Sequence, residues 1–112
     1  DATGLPRRDA SGGLVRRDET DLSGPLAGRS FDDLFEMSGE GWTAAVVAAD
    51  GARLEVIADR NWRWMQVYAP EDSDFACIEP MLAPTAGLSD GDVAIVAAGT
   101  TLEASFTIRF TA

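Results

Sequence analysis

Hydrophobic and polar side chains alternate along much of this chain with a period of two, the spacing that is typical of β-strands. Runs of this kind predict strands over residues 30–37, 42–49, 53–58, 61–69, 75–79, 92–97 and 101–110. The alternation is cleanest in the last run, whose apolar face is predicted to point inward. That face consists of Leu102, Ala104, Phe106, Ile108 and Phe110. No stretch has helical periodicity of useful length, so the predicted fold class is all-β, an antiparallel sandwich.

Turn signals separate these runs. Asp50-Gly51 is a strong two-residue hairpin signal, and Ala98-Gly99 lies at the predicted turn of a last hairpin. Residues 80–91 contain two prolines and two glycines, which predicts a constrained loop that presents the end of the preceding strand to a cleft. Residues 1–30 have leucines without period and are predicted to be mostly extended loop. The chain 1–112 is short enough to form a single domain.

The charge balance restricts the possible partners. The chain has 19 acidic and 9 basic residues, all of the latter arginine, and a formal net charge of −10 at pH 7. Without a basic stripe, binding to nucleic acid or to an anionic membrane surface is disfavoured. No apolar run approaches the length of a membrane-spanning helix. We therefore expect neither nucleic acid nor a membrane as a partner.

Two residue types that often carry chemistry are scarce. Cys77 is the single cysteine, which excludes an internal disulfide and argues against a cysteine-based metal site. Histidine, the commonest metal ligand and general acid or base, does not occur. No metal and no cofactor are predicted. Since no signal peptide is visible, a cytoplasmic location is expected, although the chain opens at Asp1 without Met and a targeting signal could have been lost.

Glu79 is the charged residue in the most unusual position. By alternation Phe75, Cys77 and Glu79 share one face of the predicted strand 75–79, which puts a carboxylate beside an aromatic ring and a thiol. A charge on a partly apolar face must be paired, hydrogen-bonded or kept for chemistry. The alternative is that Glu79 is a strand-end residue whose side chain simply reaches solvent.

Two further polar residues lie in apolar surroundings. Gln66 shares a predicted strand face with Trp62, Trp64 and Tyr68, and aromatic rings with an amide among them suit a sugar. The alternative for the tryptophans is ordinary core packing. Asp32 is one of two adjacent aspartates in an otherwise apolar run, and its alternative role is in a turn or a strand entry.

Several short motifs occur in the order found in the aldose 1-epimerase (galactose mutarotase) family. The run C-I-E-P-M-L-A-P-T at 77–85, preceded by W-M-Q-V-Y-A-P and followed by a closing S-F-T-I-R-F, resembles the C-terminal part of that family. The resemblance extends from about Leu14 to Phe110. It implies that Glu79 is the general base, that Gln66 supplies an amide to the sugar site and that Asp32 contacts sugar hydroxyls. After the P-T pair the family usually has Asp or Asn followed by Ala, where this chain has Ala86-Gly87.

The same resemblance implies a C-terminal portion of a galactose mutarotase-like β-supersandwich, somewhat less than half of a family member. The implied reaction interconverts the α and β anomers of an aldose, a hexose such as galactose or glucose. The acid would be a histidine from the N-terminal half of the same fold or from a companion chain.

Two alternatives stay open: a non-catalytic carbohydrate-binding or structural β-sandwich module, and a fragment that functions only with the rest of its fold. We expect Glu79, Gln66 and Asp32 to converge on one concave surface. We also expect the isolated chain to be inactive. Either a companion polypeptide with the N-terminal half or a symmetry mate is expected to cover the faces that bear Trp62, Trp64 and Phe106.

Overall fold

The computed structural model describes residues 22–112 and, before them, the backbone of a two-residue strand. Predictions that fall on residues 1–15 and 18–21, including most of the expected extended loop, lie outside the described residues. Within the described part there are seven strands and one helical turn. In chain order they are β1 (Arg16–Arg17), β2 (Phe31–Glu36), β3 (Gly41–Val47), β4 (Arg53–Asp59), β5 (Trp64–Ala69), β6 (Cys77–Met81), α1 (Gly87–Asp90) and β7 (Phe106–Thr111).

The strands form two sheets, and the predicted all-β, sandwich-like class is confirmed. One sheet has the order β1-β2-β5-β6 and the other the order β3-β4-β7. All neighbouring strands are antiparallel except β1, which runs parallel to β2. The one-turn α1 is the longest helix in residues 22–112, so this part has no helix with the length and apolarity to cross a membrane.

The hydrophobic core lies between the sheets and is built from alternate residues of four strands. Burial of a large apolar side chain in this layer stabilises the fold by roughly 1.5–3 kcal/mol. The buried members are Phe31 and Phe35 of β2, Met65, Val67 and Ala69 of β5, Trp42 and Ala44 of β3, and Val56 and Ala58 of β4. The sheets are also joined where the Trp42 indole Nε1 donates a hydrogen bond to the Trp62 carbonyl oxygen at 2.6 Å.

The predicted hairpin at Asp50-Gly51 is present as the β3–β4 connection, with a longer loop than expected. The backbone N–H of Ala48 donates to the carbonyl of Ala52, which leaves residues 49–51 outside the ladder. Gly51 has φ +91°, the left-handed conformation that a glycine adopts at the third position of such a loop. The predicted pairing of these two strands is therefore correct, and the loop has three residues instead of two.

Two strand boundaries in the first sheet differ from the predicted ones. The run predicted at 61–69 begins at Trp64, so Trp62 lies outside the strand and packs against the core instead of sharing the face of Gln66. The strand predicted at 75–79 is β6, which begins at Cys77 and continues through Pro80. A proline is tolerated there because β6 is the edge of its sheet and needs no outward N–H donor.

The predicted last hairpin is wrong. Residues 92–97 form no strand, and the turn at Ala98-Gly99 joins no pair of strands, although the Thr100 N–H donates to the Ala97 carbonyl. The last strand starts at Phe106, not at 101, and pairs with β4. The position of this strand is set by pairing with β4, which is distant in sequence, and not by pairing with the preceding apolar run at 92–97.

Contrary to the prediction, the apolar face of the last strand does not point into a closed core. Phe106, Ile108 and Phe110 do face the same way as the buried residues of β4, since each is paired with one of its inner-face residues. Their exposed fractions are nevertheless 45%, 62% and 67%. The inner face of the second sheet thus extends beyond the cover that the first sheet provides.

Candidate functional site

The candidate site lies on the face of the first sheet that points away from the core. In antiparallel pairs, residues directly opposite each other point to the same face. Gln66 at the centre of β5 is opposite Leu34 of β2 on one side and Glu79 of β6 on the other. Asp32 precedes Leu34 by two residues and so shares its face. The structure therefore places all three predicted site residues, Asp32, Gln66 and Glu79, on one face.

Asp32 and Gln66 are in direct contact. The Gln66 amide Nε2 donates a hydrogen bond to Asp32 Oδ1 at 3.0 Å. The reverse orientation of the amide would place two acceptor oxygens against each other, so the bond determines which end of the amide faces Asp32. Gln66 Oε1 then points elsewhere, is buried and has no hydrogen-bond partner among the described residues. The site thus contains an acceptor whose desolvation is not compensated.

The accessibility of the three residues differs sharply. Asp32 and Gln66 are 8% and 6% exposed, whereas Glu79 on the edge strand is exposed. Leu34 and Trp64 on the same face are also buried, at 0% and 2% exposed, although neither belongs to the core between the sheets. This face is therefore covered over β2 and β5 and open at β6.

A cavity of about 700 Å³ lies on the opposite face of β5, with Met65 and Ile78 on one wall and Trp42 and Val46 on the other. None of Asp32, Gln66 and Glu79 lines it. The three residues share one face, but the cavity belongs to the apolar side of β5, so the expected concave surface around them stays a prediction.

Asp33 is a buried carboxylate that the sequence reasoning did not select. It is 2% exposed and lies opposite Val67, on the core side of β2. Its Oδ2 accepts a hydrogen bond from the backbone N–H of Asp32 at 3.3 Å. The signal was present in the alternation, which groups Asp33 with Phe31 and Phe35, although Asp is rarely buried unless it is paired.

The loop after β6 is held in a tight conformation next to the strand that bears Glu79. Ala86 has φ 64° and ψ 10°, a left-handed conformation in which Asn, Asp or Gly is favoured over Ala. At Gly87 a Cβ atom would lie 2.8 Å from the Asp92 carbonyl oxygen and 3.1 Å from Pro84 Cδ. Only glycine fits at position 87. The backbone at position 86 therefore suits Asn, Asp or Gly better than the alanine that the chain has there.

The chemistry that this face offers is limited to acid–base and hydrogen-bonding groups. Residues 22–112 contain no group of three or more His, Cys, Asp and Glu side chains placed to hold a metal ion. Cys77 is a partly buried free thiol. An exposed carboxylate next to an amide–carboxylate pair can take up a proton and can bind hydroxyl groups.

Comparison of the chain with protein-family models, with curated proteins and with solved structures finds no match.

Proposed function

We propose that this chain is the base-bearing part of an aldose 1-epimerase, which interconverts the α and β anomers of a hexose such as galactose or glucose. Glu79 is the general base, and Asp32 and Gln66 bind sugar hydroxyls. The observation that supports this most is the cross-strand pairing of Gln66 with Glu79, together with the 3.0 Å hydrogen bond from Gln66 to Asp32. Three residues that the motif resemblance assigns to a sugar site are neighbours on one face.

The unpaired Gln66 Oε1 is consistent with a ligand that donates hydrogen bonds. A buried acceptor without a partner costs about 1–3 kcal/mol, and a sugar hydroxyl would remove that cost. Asp32 Oδ1 already accepts from the amide, so the pair is oriented before the sugar arrives. Of the three candidate residues only Glu79 is exposed. Since Gln66 is buried, the face over β2 and β5 must become accessible before a sugar can reach it.

The proposed mechanism is general acid–base catalysis. Glu79 removes the proton of the anomeric hydroxyl while an acid protonates the ring oxygen, so that the C1–O5 bond breaks and an open-chain aldehyde forms. Rotation about the C1–C2 bond and reclosure on the other face of the carbonyl give the second anomer and return both protons. The sequence has no histidine, so the acid is assigned to a companion polypeptide or to the N-terminal half of the same fold. Each acid or base group contributes about 10²–10⁴-fold.

The test follows anomer exchange of freshly dissolved α-D-galactose and α-D-glucose by NMR. The chain is measured alone and mixed with the N-terminal half of an aldose 1-epimerase as the probe companion. We expect no catalysis by the chain alone and catalysis by the mixture. Glu79→Gln should lower turnover of the mixture by about two orders of magnitude or more with sugar binding retained.

The matched control is Glu71→Gln, which removes a carboxylate from an exposed loop outside this face. It should leave turnover unchanged. Equal rates for the Glu79 and Glu71 variants would remove Glu79 from the mechanism.

A non-catalytic sugar-binding or structural module is the second candidate. It is favoured by the burial of Asp32 and Gln66, because a hydrogen-bonded buried pair can serve the fold alone. Chemical shift changes at the Gln66 side-chain amide on sugar addition, without anomer exchange in the mixture, would assign sugar binding without catalysis. No shift change at Gln66 and no exchange would assign a structural role.

A further inference from the structure

The exposed face of β7 is a surface of unusual composition. Phe106, Ile108 and Phe110 form a continuous stripe with Leu54 of β4, which is 41% exposed. Since a large aromatic side chain carries about 150–250 Å² of surface, these exposed fractions amount to an apolar patch on the order of 300–400 Å². Patches of this size on a monomer often mark interaction sites. We call these four residues the β7 stripe.

The β7 stripe continues an interface that already exists within the chain. Ala58 and Val56, which pair with Phe106 and Ile108, are buried in the core between the sheets. Exposure rises from 5% at Ala58 to 45% at Phe106, and from 4% at Val56 to 62% at Ile108. The cover of this inner face ends at the start of β7, where the Trp62 ring packs edge-on against Phe106 with ring centroids 5.4 Å apart.

The free edge of β7 offers backbone groups beside this patch. Within the part of the chain that the structure describes, β7 pairs with β4 and no strand occupies its other side. An edge strand presents unpaired N–H and C=O groups that accept a further strand. The patch corresponds to about half of the roughly 800 Å² that each partner buries in a stable complex. Edge hydrogen bonding and contacts on the outer face would supply the remainder.

The outer face of the same strand has a defined charge. Glu55 forms ion pairs with two arginines, Arg53 at 3.0 Å and Arg109 at 3.6 Å. The side chain of Arg109 is 60% exposed and lies on the edge strand. Two guanidinium groups for one carboxylate leave a local positive excess on a chain whose net charge is −10. The edge is therefore complementary to a strand that carries a carboxylate.

The charge argues against a second copy of this chain at the same edge. Antiparallel pairing of two β7 strands with their apolar faces aligned brings Arg109 close to its counterpart in the other copy, and like charges on neighbouring strands are destabilising. Two chains of net charge −10 also repel each other.

We propose that β7 docks a β-strand of a different polypeptide, whose apolar side chains continue the inner face over the β7 stripe and whose acidic side chain on the outer face pairs with Arg109. This goes beyond the sugar chemistry and does not depend on it. The mode is strand addition, in which backbone hydrogen bonds supply affinity and alternate side chains supply specificity.

The test uses a tethered probe strand, because a tether raises the effective concentration of a weak binder to the millimolar range. The full chain is extended after Ala112 by an Asn-Gly turn and a short strand with valine at inward positions. At the outward position that faces Arg109 the strand carries either glutamate or lysine. A Gly/Ser tail of equal length is the control. The melting temperature is measured for each.

We expect the glutamate strand to raise the melting temperature above that of the Gly/Ser control by at least about 4 °C, the shift that a modest stabilisation gives in a domain of this size. The lysine strand should raise it less, and Arg109→Gln should remove the difference between the two strands. A glutamate strand that gives no gain over the Gly/Ser tail, or a difference that survives Arg109→Gln, would overturn the proposal.

Sedimentation of the chain without an extension tests whether a second copy of the chain covers the β7 stripe. We expect a monomer. A stable dimer that Ile108→Asp dissociates would assign the β7 stripe to a second copy and overturn the proposal. Ile108 is 62% exposed, so the substitution should leave the monomer folded.

Discussion

Asp59 links the end of β4 to the start of β7. Its carboxylate accepts hydrogen bonds from the backbone N–H and the hydroxyl of Ser105, at 2.6 Å and 3.1 Å, and from the backbone N–H of Asn61 at 2.9 Å. Asn61 Nδ2 in turn donates to the carbonyl of Glu103. These bonds hold a segment without regular structure against the second sheet and determine where β7 begins.

The hydrogen bonds from the backbone N–H groups of Ser105 and Asn61 lower the pKa of Asp59 below its usual value of 3.8. A lowered pKa in the folded state means that the ionised form stabilises the protein above pH 3.8 and that this contribution is lost as the pH falls below it. We expect the stability difference between wild type and Asp59→Asn to be constant from pH 7 to 5 and to shrink below about pH 4. Urea unfolding at each pH measures it. A difference that stays the same at low pH would contradict this role.

The left-handed residue before α1 gives a second prediction at this scale. Ala at φ 64° carries a steric cost of about 1–2 kcal/mol, part of which the entropy of an unfolded glycine offsets, so Ala86→Gly should stabilise by about 0.5–1 kcal/mol. Gly87→Ala, the matched control one residue later, should destabilise by about 1–3 kcal/mol because its Cβ would collide with the Asp92 carbonyl. Thermal unfolding checks both. Similar effects at both positions would argue against the described loop.

At the scale of elements, the first sheet is unusual because its central strands are buried on both faces. All residues of β2 except Glu36 are buried, and so are all residues of β5 except Tyr68. An antiparallel sheet that covers a core on one side is expected to be wet on the other. The polar residues Asp32, Asp33 and Gln66 are consequently inside, where each needs a hydrogen-bond partner.

This double burial predicts comparable costs for core truncations on opposite faces. Phe35→Ala, on the core side, should cost about 3–5 kcal/mol, and Leu34→Ala, on the side of Gln66, about 2–5 kcal/mol, since both side chains are 0% exposed. Val47→Ala, at 56% exposed, is the control and should cost less than about 0.5 kcal/mol. Denaturant unfolding measures all three. A cost at Leu34 as small as that at Val47 would show that the outer face is open in solution.

For the whole molecule, self-repulsion is the dominant electrostatic effect. The ion pairs Arg60–Glu40 and Arg63–Glu36 are on the surface, and such pairs are each worth about 0–1 kcal/mol. The net charge of −10 acts over the whole chain. The Debye length falls from about 30 Å at 0.01 M salt to about 10 Å at 0.1 M, so added salt screens the repulsion across the domain.

We therefore expect the melting temperature to rise as sodium chloride is raised from 0.01 to 0.1 M. The double variant Glu71→Gln with Glu103→Gln lowers the net charge from −10 to −8, since two carboxylates are removed, and should show a smaller rise. Both positions are exposed. A melting temperature that falls with salt would mean that the surface ion pairs outweigh the repulsion.

The sequence by itself determined the class of the fold, most of the strands and the face that each candidate residue takes within its own strand. Alternation is a local property: it places Asp32 with Leu34, Gln66 with Trp64, and Glu79 with Cys77, whatever the partners of their strands. Once β2, β5 and β6 pair in register, these residues share a face. The sugar role of that face stays a prediction.

Tertiary structure alone decided which strands pair, which faces are covered and which edges stay free. Residues 92–97 carry the pattern of a strand but form none, because the last strand finds its partner in β4 and Asp59 anchors its start. Trp62 lies two residues before the start of the ladder and packs against the core. Phe106, Ile108 and Phe110 alternate as inward residues do, yet they are exposed because the first sheet does not extend over β7. Period two specifies that residues i and i+2 share a face, and only long-range pairing specifies what lies against that face.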